Sequence, residues 1–112
     1  MPLTTAGKNT ALDALTITHM SLHTGDPSDT GAANEATGGS PAYARQVPTF
    51  GAASAGTRTL SASVTFDVPA GTFGWYALWN NTTCLDKGQL NSDKVLGEQG
   101  QIEITSGTVS LT

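Results

Sequence analysis

Between residues 60 and 68 the chain alternates without a break, with Leu60, Ala62, Val64, Phe66 and Val68 on one side and Ser61, Ser63, Thr65 and Asp67 on the other. Successive side chains of an extended strand point to opposite faces, so this run predicts a half-buried β-strand with one apolar face. Pro69-Ala70-Gly71-Thr72 reads as a turn, and residues 73–80 as the next strand. Phe73, Trp75, Ala77 and Trp79 fall on one of its faces and Tyr76 and Leu78 on the other, which predicts a central strand covered on both sides with Trp75 and Trp79 buried.

The remaining strands read as short. Pro48 confines residues 47–50 to an edge or a strand start, and residues 51–59, GAASAGTRT, read as a flexible link or the widened tip of a hairpin. Residues 80–101 are polar, with short strands expected at 88–90 and 94–96. Ile102 and Ile104 alternate, the phase slips at Ser106-Gly107, and Val109 and Leu111 resume it; a bulge or tight turn at Gly107 accounts for the slip. Upstream, Thr4 or Thr5 can cap a helix over about residues 5–15, with Leu12 and Leu15 as a narrow apolar stripe. A helix that short does not persist alone and must dock, on its own β body or as a tether on a neighbour. The fold expected is mainly β: one domain over residues 1–112, an antiparallel β-sandwich of jelly-roll type with a short N-terminal helix.

The least generic stretch is HMSLHTGDPSDTGAANEATGGSPAYARQ, residues 19–46. Met20 and Leu22 alternate with His19, Ser21 and His23, so one face of this strand is expected in the core and the other in water. The Gly and Pro density that follows rules out regular structure and predicts a long loop, about residues 25–42. Asp26, Asn34 and Ser40 can bond nearby backbone and order it. Tyr43 and Arg45 at its exit are residue types that anchor interfaces. Asp26, Asn34, Glu35, Tyr43, Arg45 and the helix residues Leu12 and Leu15 are therefore the candidate contact residues.

No catalytic or metal site is expected. In an extended strand His19 and His23 stand ~13 Å apart, too far to share a metal. They read as solvent-facing or interface hydrogen-bonders. Asp26, Ser28, Thr30 and Gly31 mimic the start of a calcium loop, but its last ligand position holds Thr37 in place of a bidentate Glu. A looser site from Asp26, Asp29 and Glu35 is less economical than turn chemistry. Ser54 in GAASAG misses the nucleophile-elbow spacing, and Cys84 has no cation beside it in sequence. No cofactor is implied.

The net charge is −4, and the five cations Lys8, Arg45, Arg58, Lys87 and Lys94 are scattered. Nucleic acid, which demands clustered Lys and Arg, is an unexpected partner. Residues 1–7 lack the features of an export signal and no stretch approaches the ~20 apolar residues of a span, so no membrane partner is expected. A single cysteine forms no intrachain disulfide and suits a reducing cytoplasm. Hydrophobic residues make up 38% of the chain and aromatics 6%, a thin core at this length, which favours a homo-oligomer.

SLHTGDP (21–27), NEATGGSPAYARQ (34–46), Thr49-Phe50, Ala77-Leu78-Trp79 and the opening LTTAGKN (3–9) resemble a family of small bacteriophage virion proteins described as minor tail or tail-fibre-like proteins. The resemblance implies a non-enzymatic virion structural protein, assembled in the bacterial cytoplasm, that associates with itself and docks on tail or capsid subunits. Capsid decoration is the alternative within that class. A receptor or carbohydrate-binding module is the alternative outside it, and it requires Trp75, Tyr76 or Trp79 to be exposed for stacking.

Overall fold

The computed structural model describes residues 3–110; the expected inward position of Leu111 lies outside them. The helix is α1, Thr5–Asp13, and the Thr4 hydroxyl caps it by accepting the Gly7 N–H at 3.1 Å. Its far end is held by Arg58, which donates to the Leu12 and Leu15 carbonyls at 3.1 and 3.0 Å and to that of Gly51 at 3.0 Å. Helix-end carbonyls have no intrahelical partner, and here a guanidinium supplies one. Asn9 and Asp13 accept the Gly56 and Ala53 N–H groups, and Leu12 is buried beneath. The helix thus docks on this chain's own residues 51–58. Those residues form a tight turn at Ala55-Gly56, both with positive φ, leading into β2, Thr57–Thr59.

Arg58→Ala should cost about 2 kcal/mol, since it strands partly buried carbonyls. Faster amide exchange across residues 5–13 together with a lower melting temperature checks this; unchanged exchange there would show that Leu12 packing and the Asn9 and Asp13 bonds hold the helix without Arg58.

The strands pair antiparallel throughout. β1 (His19–His23), β4 (Gly71–Asn80) and β5 (Thr83–Leu96) form a three-stranded sheet in the order β1-β4-β5. β3 (Val64–Val68) pairs with β6 (Gly100–Ile104), and β2 with β7 (Thr108–Ser110). The chain is mainly β with one short N-terminal helix, as expected, though these pairings do not make the two four-stranded sheets of a jelly roll. Val64, Phe66 and Val68 of β3 and Ile102 and Ile104 of β6 build one core with Met20, Leu22, Phe73 and Leu78.

Several expectations change. The alternation over residues 60–68 is divided between two partners: Leu60 bridges Phe50 and only Val64–Val68 joins β6, leaving Ala62 exposed. The phase slip at Gly107 marks a change of partner, because β6 serves β3 while β7 serves β2. The polar stretch expected to hold two short strands is one edge strand, β5. It is irregular, with residues 90–93 facing the single residue Gly74. Trp75, expected in the core, is only half-buried.

Candidate functional site

The largest correction concerns β1. Ser21 and His23, expected on a wet face, are both 0% exposed, because residues 24–46 fold back over that face of the sheet. They also close its outer edge: Ala36 N–H donates to Leu22 O at 2.9 Å, and Met20 and Gln46 exchange both backbone bonds at 2.7 and 3.1 Å. An edge strand that would otherwise offer bare N–H and C=O groups is thereby satisfied within the chain.

The loop is ordered from inside. Asp26 Oδ1 accepts the Ser28 N–H at 2.9 Å, an Asx turn, and Asn34 Nδ2 donates to the Asp26 carbonyl at 3.1 Å. Ser28, Gly31 and Asn34 take positive φ. Lys87 on β5 pins the turn from outside, 2.8 Å from Asp26 and 3.8 Å from Asp29. That ammonium and the Ser28 N–H hold the Asp26 carboxyl below its ordinary range.

At the far end Glu35, Tyr43 and Arg45 come together. Arg45 donates Nε and Nη2 to the two Glu35 oxygens, both at 2.9 Å, and the Tyr43 hydroxyl donates to Glu35 Oε2 at 2.9 Å. The same hydroxyl accepts the Leu22 N–H at 3.0 Å, and the Tyr43 ring stacks on Phe66, centroids 6.1 Å apart and planes at 14°. Burial pushes the Glu35 carboxyl up, but the Arg45 and Tyr43 donors outweigh it and keep it below its usual value. The Arg45 guanidinium also lies 3.8 Å over the Trp79 ring, a cation–π contact.

Of the candidate contact residues, Glu35, Tyr43 and Arg45 are joined in one network, and Asp26 and Asn34 form a second pair, exposed on the loop. Leu12 and Leu15 belong to the helix region and pack on the core. Of the acids considered for calcium, Asp26 is bonded to Lys87 and Glu35 to Arg45, while Asp29 lies 3.8 Å from Lys87, and no group of three metal-binding side chains occurs among the described residues. What remains outermost is residues 37–42, all exposed. Gln99 holds them, accepting the Ser40 N–H at 3.1 Å and donating to the Pro41 carbonyl at 3.2 Å.

Sequence reasoning missed one arrangement. Ser21 Oγ lies 2.7 Å from His23 Nε2, with His23 Nδ1 2.8 Å from the Ala33 carbonyl and Trp79 Nε1 2.8 Å from Ser21 Oγ. A Ser–His contact is the starting geometry of nucleophilic catalysis, but neither residue is reachable by a substrate. Their shared face on β1 was the only local signal; the loop and Trp79 that complete the chain are remote in sequence.

The family model described as Podophage GP4 fiber I protein gp80 matches residues 3–112. No curated protein and no solved structure matches the chain.

Proposed function

Since the chain belongs to the podophage GP4 fiber I protein gp80 family, a family of phage fibre structural proteins, we propose that it works in the virion without catalysis, by associating with its own copies and docking on other particle subunits. The observation that carries this reading is the loop: bonded to the sheet along its inner side, and to Gln99 at its tip, it holds an exposed ridge at residues 37–42 in a fixed position. A ridge ordered before contact loses little conformational entropy when a partner covers it. Asp26 and Asn34 extend the contact surface, whereas Glu35, Tyr43 and Arg45 act by holding the loop in shape, and Leu12 and Leu15 by seating the helix.

The test is a double charge substitution on the ridge, Thr37→Arg with Ala42→Arg. Exposed substitutions of this kind shift stability by about 0.5 kcal/mol or less, so folding should survive while incorporation into particles falls at least about tenfold, the equivalent of ~1.4 kcal/mol. Particles that take up the variant as readily as the parent protein would exclude the ridge as the contact. Sedimentation of the isolated protein reads self-association separately, and copurification with tailless capsids separates head attachment from tail attachment.

A further inference from the structure

The two outer edges of the β1-β4-β5 sheet differ. Glu35, Ala36 and Gln46 close the edge of β1, whereas β5 takes no backbone partner beyond β4 among the described residues. An open strand of 14 residues is a template for another strand. Its second half has the least to hold it, because residues 91–95 are all exposed and 90–93 form no ladder pair with β4.

The charges along β5 select the strand that fits. Asp86 and Lys87 lie four and three residues before Leu90, and Asp93 and Lys94 three and four after it. An antiparallel copy of β5 centred on Leu90 therefore sets Asp86 opposite Lys94 of the second copy and Lys87 opposite Asp93, and two-fold symmetry repeats both pairs. The same register places Leu85 against Val95, which is 70% exposed in the free chain, and Gln89 against Asn91. A slip of one residue either way brings Asp86 against Asp93 or Lys87 against Lys94. Parallel in-register pairing sets every charge against its like. The faces agree as well. Asp86 neighbours Leu78 and Lys94 neighbours Phe73 on β4, both core residues, so these two charges share the core face. Lys87 reaches over the other face to Asp26, and Asp93, next to Lys94, alternates to that side.

We propose, on the self-association inferred above, that the outer edge of β5 pairs antiparallel with the same edge of a second copy about a two-fold axis at Leu90. The sheets of two chains then run on as one, in the order β1-β4-β5-β5-β4-β1. Asp86 and Lys94 form no ion pair among the described residues, and this register joins the two. Burial holds the half-buried Asp86 carboxyl above its ordinary range, with only the Lys87 N–H opposing, so a facing ammonium has a charge to stabilise. Lys87 is already 2.8 Å from Asp26, and Asp93 of the second copy extends that network. Edge lysines turn foreign strands away; here each meets an aspartate in the chain's own register, which makes the edge selective for a copy. The unpaired stretch 91–93 of each chain meets 87–89 of the other, which β4 already holds in place.

The experiment is sedimentation of the whole chain at concentrations up to about 1 mM, with amide exchange read on the same samples. The parent protein should dimerise, and exchange within residues 91–95 should slow as it does. Lys94→Asp and Asp86→Lys each set like charges face to face twice per dimer, so each should raise the dissociation constant at least about tenfold. The double variant Asp86→Lys with Lys94→Asp restores opposite charges in the reversed sense and should return it to within about threefold of the parent value. Should Asp86→Lys not fold, Lys94→Asp, at an exposed position, decides together with the protection of residues 91–95. Dimers as tight in Lys94→Asp as in the parent, or a double variant no tighter than the single ones, overturn the edge pairing and leave self-association to another surface. A parent chain that is monomeric at every concentration overturns the self-association reading along with it.

Discussion

Truncating Phe66 to alanine should cost about 3–5 kcal/mol, the range for removing a large buried aromatic and leaving a cavity. Phe66 is 0% exposed in the middle of β3, opposite Ile102 of β6. Its loss reaches beyond the core because the Tyr43 ring lies flat against it. Tyr43 in turn connects the Leu22 N–H to Glu35, and Glu35 holds Arg45 over Trp79. Without the Phe66 ring, the loop loses the floor on which its Glu35 network rests. Thermal and urea unfolding should show a drop in melting temperature on the order of 15 °C and faster exchange within residues 35–46. Tyr43→Phe keeps the ring and loses only the hydroxyl, so it should cost about 1–2 kcal/mol and leave the core intact. If the two substitutions cost the same, the stacking contact contributes nothing and the loop hangs on hydrogen bonds alone.

The parts of this fold legible in the sequence are those where local pattern and final environment agree. Val64, Phe66 and Val68 alternate because one face of β3 meets the core and the other meets water, and Thr4 caps α1 through a bond made within one turn. The failures share a cause, since alternation says that two faces differ without saying what covers the polar one. Ser21 and His23 read as wet, yet the Trp79 N–H, the Ala33 carbonyl and the overlying loop satisfy them in a dry site. β5 failed in the opposite sense. Its backbone pairs with β4 over residues 86–89 and again over 94–96, and most of its second half is exposed, so no apolar pattern was needed to hold those paired stretches in place. In the loop, Glu35 and Arg45 carry opposite charges on either side of Gly38-Gly39, a legible hint of an ion pair across a turn. Read as interface types, Tyr43 and Arg45 looked outward; the partners they found first were inside the chain.

Gly31→Ala should cost about 3 kcal/mol, from two sources that a second variant separates. At φ +72 the backbone of Gly31 lies where side chains are rarely tolerated, and an added Cβ would come within 2.6 Å of Trp79 Cη2 and 3.0 Å of the Cys84 Cβ. Trp79 has little freedom to yield, because its N–H is bound to Ser21 and its face is covered by Arg45. Gly38 has a similar φ of +87 but nothing within 4 Å of the added atom. Gly38→Ala should therefore cost only the conformational part, about 1 kcal/mol, and the remainder measures how tightly the loop is seated on the indole. A loop lifted by the extra methyl also hydrates Trp79, so Gly31→Ala should shift tryptophan emission to the red and Gly38→Ala should not. Equal costs with unchanged emission would mean that the loop adapts around Trp79 and that the indole is not its seat.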